Sequence, residues 1–400
     1  MGTSLRRPPL TEEREKEKVT RMILRYKVNK KIRTLATWMT GLITSRSNEE
    51  RVDFQREPIR KILLVRATFR MGHSVLATPA VFLFRKNFPH ARIDFAGPAI
   101  SKPLFQNLPI TNHYQIHQRF PKSCWAYVPF MKQIRSTKYD LAIDVSCSKS
   151  ALGAFIVGFS GARFRVGLRG RWDHWFNVRV ERPAQKSKYR NLPDFVRSMG
   201  LQSEELLPSL ILSADEKENG RRQLEMLLAD RDPTGPIVGV FVGGRKSWRK
   251  RWPKEHFKEL ISDLHAQGVK VIVFRGPEEK DVVRYFERAL PWGVPFVFES
   301  SPRKFAALVS NCDLFVSCDS GPMHMACAMG VRTIGIFLLQ HNRERWAPRS
   351  SIARLVDQSA PRTVKELVKV CRMELDQWFG TLGGKLLVGL IGMSGFDIGL

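Results

Sequence analysis

Four segments of the 400-residue chain set charged, imidazole or hydroxyl side chains beside glycine where an apolar run gives way to a helical pattern. In the first, Arg66 to Ala80, the glycine is Gly72 and the next residue is His73. A glycine there lets backbone amides approach an anion or a sugar, and the helix start that follows adds partial positive charge. His73 then stands at a strand exit, facing a cleft; the plainer reading is a solvated loop histidine beside an ordinary turn glycine. The second segment, Val242 to Phe257, opens with Gly243 and Gly244 and crowds Arg245, Lys246, Arg249, Lys250 and Arg251 into one loop. That donor set suits a diphosphate, although basic loops are common in a chain with 66 Lys and Arg. In the third, Phe315 to Ala326, Asp319, Ser320 and Gly321 end an apolar run and His324 falls in the first helical turn. Ser320 and the amides after it can hold phosphate oxygens within reach of His324, a role compatible with Asp319 or Ser320 simply capping the helix. The fourth is the turn Arg275 to Glu279, where Glu279 suits ribose hydroxyls or a base, or else a carboxylate facing a helix dipole.

What is missing narrows the chemistry. No strand exit carries the Asp-x-Asp pair that chelates a metal with a nucleotide diphosphate, and HExxH, GxSxG and a GxGxxG after the first strand are absent too. Cationic side chains and helix starts must therefore neutralise any phosphate, with no metal expected. The six cysteines form no CxxC, so neither a disulfide framework nor a structural zinc is expected, consistent with a reducing compartment. The formal net charge of +28 attracts polyanions of any kind: nucleic acid, anionic membrane or phosphorylated substrate. No nucleic-acid-binding motif accompanies it, and the charge is spread along the chain, so no specific nucleic acid is expected.

The elements that would hold these loops are strands alternating with helices. Strands are expected at Ile62 to Val65, Arg92 to Ala96, Tyr139 to Val145 and Phe164 to Leu168, and again at Ile237 to Val242, Val269 to Phe274, Phe296 to Phe298, Leu314 to Cys318 and Thr333 to Phe337. Helices are expected at Val75 to Phe88, Pro129 to Arg135, Ala151 to Phe159, Lys254 to His265, Glu278 to Leu290, Arg303 to Ser310 and Met323 to Met329. The fold class is α/β, with two doubly wound units in tandem and a cleft between them, where the carboxyl ends of both sheets face a shared ligand. Residues 1–58 are expected as a basic extension, 59–205 as the first unit, 206–378 as the second and 379–400 as a Gly-rich apolar tail. Within the extension, Val19 to Ile43 has the spacing of a basic amphipathic helix, either packed on the fold or lying on an anionic membrane surface, and Ser45 to Pro58 reads as a charged linker. The N-terminus lacks the apolar core of a secretory signal.

In order along the chain, these motifs resemble the ADP-heptose:lipopolysaccharide heptosyltransferases, glycosyltransferase family 9, over roughly residues 60–375. The resemblance rests on Lys61 to Arg66, Met71 and Gly72, Thr78 to Ala80, Phe88 to Asp94, Tyr139 to Asp144, Lys250 to Phe257, Gly276 to Glu279 and Asp319 to His324. It implies the GT-B arrangement of two Rossmann-like domains, an inverting transfer without a metal, and no cofactor beyond a nucleotide-sugar co-substrate, ADP-heptose. It further implies that Lys250 neutralises the donor diphosphate, that Gly243, Gly244, Asp319, Ser320, Gly321 and His324 line the donor, and that Glu279 holds the nucleoside. Met71 and Gly72 would form the acceptor side.

Where the family pattern has Gly-Asp, the Asp being the general base, this chain has Gly72-His73. An imidazole near its ordinary pKa of about 6.5 can accept the acceptor's proton, and activity would then fall as acid protonates His73. The expected function is transfer of a heptose-like sugar to a phosphorylated glycolipid or lipopolysaccharide-core acceptor by a cytoplasmic enzyme peripheral to the inner face of the membrane. The alternatives are a catalytically altered or inactive member that binds sugar nucleotide or scaffolds a membrane assembly, and a basic nucleic-acid-binding protein.

Overall fold

The computed structural model describes residues 48–117, 124–148, 150–229, 235–244, 250–277, 279, 282–349, 351–355 and 364–377. The amphipathic helix expected at Val19 to Ile43 and the tail expected at 379–400 lie outside these residues, as do Arg245, Lys246 and Arg249. Among the described residues, twelve strands form two parallel sheets. The first contains β1 (Lys61–Val65), β2 (Arg92–Pro98), β3 (Asn112–Ile116), β4 (Leu141–Asp144), β5 (Phe164–Leu168) and β6 (Val178–Val180), in the order β3-β2-β1-β4-β5-β6. The second contains β7 (Ile237–Phe241), β8 (Lys270–Arg275), β9 (Phe296–Phe298), β10 (Leu314–Cys318), β11 (Arg332–Phe337) and β12 (Ser351–Leu355), in the order β12-β11-β10-β7-β8-β9. Read from its own first strand, each sheet runs 3-2-1-4-5-6, the doubly wound order with a reversal beside strand 1.

The central strands are apolar throughout because both faces are covered. In β1, Ile62 and Leu64 face one apolar cluster while Leu63 and Val65 face the other. The first of these clusters does not stop at the sheet: it joins Leu83 and Phe84 to Phe274, Phe305 and Phe315 of the second half through Leu210, Leu212 and Leu224. The two halves thus share apolar packing, and their carboxyl edges meet along a seam that this packing holds.

Several features depart from the sequence expectation, among them the unexpected helices Asn191–Ser198, Ala214–Leu227 and Gln340–Trp346. Strands β3, β6 and β12, at sheet edges, were not anticipated. The helix expected from Val75 divides into Met71–Val75 and Thr78–Asn87, with Pro79 in the first turn of the second and the Thr78 hydroxyl donating to the Val75 carbonyl at 2.8 Å. The charged stretch before Pro58 is packed from residue 48 onward instead of spanning free: Phe54 is buried edge-on against Phe164 at 5.5 Å, and the Asn177 amide donates to Glu50 at 2.7 Å.

Candidate active site

At each sheet's reversal, neighbouring loops leave the carboxyl edge in opposite directions and open a crevice. In the first sheet this falls between β1 and β4, and in the second between β7 and β10. The loops concerned carry Arg66 to Arg70, Val145 to Ser148, Val242 to Gly244 and Asp319 to Ser320. The second-sheet motif segments and the Gly72 segment therefore converge on one seam.

The seam is closed at its glycines. A Cβ on Gly72 would stand 2.8 Å from His324 Cδ2 and 3.4 Å from the Gly321 Cα, and a Cβ on Gly321 would stand 2.8 Å from Met71 Cε. The Met71–Val75 and Gly321–Ala328 helices touch backbone to backbone. Met71 and Gly72, expected to stand across an open cleft on the acceptor side, are in contact with the donor-side helix. Gly72 is the more tightly constrained of the two, since a side chain there would run into the His324 ring, whereas one on Gly321 would first meet the flexible end of Met71.

Lys250 and Asp319 form an ion pair inside the seam, with side chains 12% and 5% exposed. Burial raises the Asp319 pKa and the Lys250 ammonium opposes that rise. Gly244 brings the loop back onto Lys250: its φ is +152°, and a Cβ there would meet the Lys250 carbonyl oxygen at 2.6 Å. Ser320 occupies the N-cap position of the Gly321–Ala328 helix with no side-chain cap, its hydroxyl lying 2.9 Å from that of Ser317. The helix start thus keeps its positive end for something other than a cap.

Sequence reasoning missed the residue at the centre of this arrangement. Trp346, at the end of the Gln340–Trp346 helix, stacks on His73 at 5.2 Å and 20°, lies 6.2 Å from the His324 ring, and carries the Lys250 ammonium 5.4 Å from its own. The signal available was its place after β11, a further strand exit, among Arg343 and Arg345. Tyr189, for which the sequence suggested no role, was missed as well. Its hydroxyl lies 2.5 Å from His324 Nδ1, while the Lys188 amide donates to the Arg345 carbonyl at 2.9 Å and Lys186 pairs with Glu344 at 3.0 Å. Together these contacts latch the segment before residue 190 to the Trp346 helix across the seam.

His73 is half-buried, and its imidazole is held down to about 2, chiefly by desolvation and then by Arg66, Arg70, His324 and Lys188. The expectation of an ordinary pKa near 6.5 is therefore corrected: the ring is neutral at every working pH and a much weaker base than an exposed histidine. His324 is buried and pushed down to about 3 by desolvation and then by Lys250. Its ring is turned into the seam, toward Tyr189 and Gly72, and packs the two halves together.

Glu279 stands in the turn after β8. It is buried, with Oε1 accepting from the Gly244 amide at 3.2 Å and Oε2 from the Gly276 amide at 2.9 Å, and Arg251 lies 3.6 Å away. A Cβ on Gly243 would meet its Cδ at 2.6 Å. Both oxygens accept from the chain's own amides, so this carboxylate braces the Gly243-Gly244 loop against the β8 exit. On the first sheet, Asp144 is buried at the end of β4, its Oδ1 accepting from the Ser146 amide at 3.0 Å, and desolvation raises its pKa to about 6. Among the described residues, no cluster of three or more His, Cys, Asp or Glu side chains is placed to hold a metal ion.

Residues 128–376 match the family described as glycosyltransferase family 9 (heptosyltransferase). Lipopolysaccharide heptosyltransferase 3 of Escherichia coli is 25% identical over 280 residues, which cover 66% of this chain and 80% of that protein. Among solved structures, the glycosyl transferase family 9 protein from Veillonella parvula DSM 2008 superposes with a TM-score of 0.67 at 17% identity, covering 82% of this chain and 91% of the other. The E. coli ADP-heptose lps heptosyltransferase II superposes with a TM-score of 0.64 at 20% identity, covering 79% and 98%. At these identities the two structures establish the fold, which is the GT-B type anticipated from the motifs, while the family match covers the latter part of the first half and the whole second sheet. The chain accordingly belongs to glycosyltransferase family 9, the heptosyltransferases, and is a glycosyltransferase.

Proposed function

We propose that this glycosyltransferase moves a heptose-like sugar from ADP-heptose to a lipopolysaccharide-core acceptor by one inverting displacement that needs no metal. The observation that carries the reading is the buried Lys250–Asp319 pair at an uncapped helix start, facing His73 across the seam with Trp346 between them. The names of its relatives, a lipopolysaccharide heptosyltransferase and an ADP-heptose lps heptosyltransferase, support this donor and acceptor. The basic surface suits a phosphorylated glycolipid at the cytoplasmic face of a membrane.

As the bond between the anomeric carbon and the diphosphate lengthens, negative charge builds on the leaving group. Lys250, drawn from Asp319, and the amides at the start of the Gly321–Ala328 helix meet that charge where it develops. Asp319, Ser320 and Gly321 shape this end of the donor site; Gly243, Gly244 and Glu279 position Lys250. The acceptor oxygen bonds to the anomeric carbon from the opposite face, and its proton passes to the neutral imidazole of His73. A bound diphosphate offsets the repulsion from Arg66, Arg70 and Lys188, so the donor itself raises the basicity of His73. The depressed imidazole also favours a second reading, a family member that binds sugar nucleotide without turnover.

The deciding experiment is transfer by the purified protein in EDTA, with ADP-heptose and a lipopolysaccharide-core acceptor, for wild type and His73→Ala. Metal-independent transfer that falls about 10²- to 10⁴-fold in the variant supports His73 as proton acceptor. Donor binding without transfer over a panel of competent acceptors selects the second reading.

A further inference from the structure

The helix Cys124–Ser136 has two unlike faces. Phe130 and Ile134 are buried in the apolar cluster beneath the first sheet. Trp125 and Val128, by contrast, are 82% and 64% exposed. Spacings of three, four and three residues set Trp125, Val128, Lys132 and Arg135 on one stripe, all exposed. A tryptophan and a valine facing water at the head of a helix whose charged residues, Lys132 and Arg135, are both cations is the pattern of an interfacial segment, apolar where it enters lipid and basic where it meets headgroups.

Charge and position both specify what covers this face. No Asp or Glu occurs between Asp94 and Asp140, whereas Lys102, Arg119, Lys122, Lys132, Arg135 and Lys138 fall in that stretch. The sheet is parallel, so the helix, which follows β3, begins at the same carboxyl edge as the Gly72 and Asp144 loops. The Tyr127 hydroxyl fixes that start by donating to the His117 carbonyl at 2.6 Å. The exposed apolar side chains therefore stand on the rim from which an acceptor reaches the seam. Among the described residues no helix is long and apolar enough to cross a membrane.

We infer that the Trp125/Val128/Lys132/Arg135 stripe docks on the surface of an anionic bilayer. The inference rests on the proposed glycolipid acceptor, because docking by this rim presents the seam to a lipid-linked substrate. Trp125 and Val128 enter the headgroup boundary, and Lys132 and Arg135 pair with anionic headgroups.

The test is sedimentation of the full-length protein with vesicles of phosphatidylcholine alone or mixed with phosphatidylglycerol. Wild type is compared with Trp125→Ser/Val128→Asn and with Lys132→Gln/Arg135→Gln. The inference expects wild type to partition onto the anionic vesicles and little onto the neutral ones, and each double variant to lose about tenfold or more of that partition. These positions are solvent-exposed, so unchanged circular dichroism and unchanged turnover with a delipidated, soluble acceptor accompany the loss. Partition of the apolar variant equal to wild type overturns the inference, as does wild type that binds neither vesicle. A change from dimer to monomer in light scattering without lipid, with vesicle binding intact, also overturns it and assigns the face to a second copy. Because vesicle binding is read without donor or acceptor, failure of transfer sinks the proposed reaction and not the docking result.

Discussion

Lys250 and Asp319 illustrate why a buried ion pair serves function better than stability. Each charge lost solvent on folding, and the mutual attraction largely returns that cost instead of exceeding it. Removing one partner strands the other, whereas removing both leaves two neutral groups. Lys250→Met and Asp319→Asn are therefore each expected to destabilise the protein, by about 1–3 kcal/mol given that Asp319 can protonate, and the double variant to be closer to wild type than the sum of the two. Urea midpoints of the four proteins check this; strict additivity would mean that the pair is not coupled. At His73 the expectation concerns pH. The imidazole is held at about 2 in the free enzyme, and kcat/KM reports the free enzyme, so its acid limb carries no contribution from His73 between pH 5 and 7. The donor complex adds negative charge beside the ring and raises its pKa, so any His73 limb in kcat lies at higher pH than in kcat/KM. Rate profiles with saturating and limiting donor measure both; coincident limbs near 6.5 would show His73 titrating as an ordinary histidine.

Among the elements, the paired helices at the seam make the sharpest demand on sequence. Gly72→Ala places a methyl 2.8 Å from His324 Cδ2 and 3.4 Å from the Gly321 backbone, and the neighbour on one side is rigid helix. The Met71–Val75 helix must lift, taking His73 off Trp346. Transfer is expected to fall about 100-fold or more, since misplacing a reacting group by about 1 Å has that effect. The thermal midpoint should fall by only a few degrees, because the shared apolar packing lies elsewhere. Unaltered kinetics in Gly72→Ala would show that the seam opens during turnover.

Which elements could be read from sequence follows from their position in the sheets. Strands β1, β7 and β10 are central and apolar on both faces, so a run such as Leu314 to Cys318 declares itself. Strand β3 reads Asn-His-Tyr-Gln-Ile and β6 only Val-Arg-Val. Each is paired on one side, and little distinguishes it from loop until its neighbour is in place. The candidate site divided in the same way. Glycine-bearing strand exits were legible because local backbone geometry requires them. Trp346 and Tyr189 each reach across the seam to a residue remote in sequence, Trp346 to His73 and Tyr189 to His324, the latter 135 residues away. No local pattern announces such a contact. The bracing role of Glu279 was hidden for the same reason: nothing in the turn announces that its carboxylate also accepts from the Gly244 amide, 35 residues away.

For the whole molecule, three neutral histidine rings, His324 buried and His73 and His113 half-buried, set the response to acid. Desolvation leads the shift in each, holding His73 at about 2, His324 at about 3 and His113 at about 4. The unfolded chain takes up these protons near pH 6.5 and the folded chain does not, so stability is full above that pH and is lost as pH falls below it. At pH 5 the buried His324 alone removes about 2 kcal/mol, and the half-buried His73 and His113 add somewhat less each. Asp144 acts in the opposite sense: its pKa is raised to about 6, so protonation as pH falls through that value relieves the cost of burying its charge, by about 1 kcal/mol at pH 5. The net expectation is a clear loss of stability between pH 7 and pH 5, reinforced by the growing net positive charge. Urea unfolding at the two pH values reads it directly, and an equal or higher midpoint at pH 5 would mean that these rings are charged in the folded protein.

The central claim is that the leaving diphosphate is neutralised by Lys250 at the seam. Its most direct measurement is single-turnover transfer from ADP-heptose in EDTA by wild type and Lys250→Ala, with donor affinity measured on the same proteins. The account predicts a fall of roughly 10²- to 10³-fold in the rate of the chemical step with a much smaller change in donor affinity, because the charge Lys250 meets develops mainly in the transition state. An unchanged chemical step in Lys250→Ala, or a loss confined to donor affinity, would contradict it.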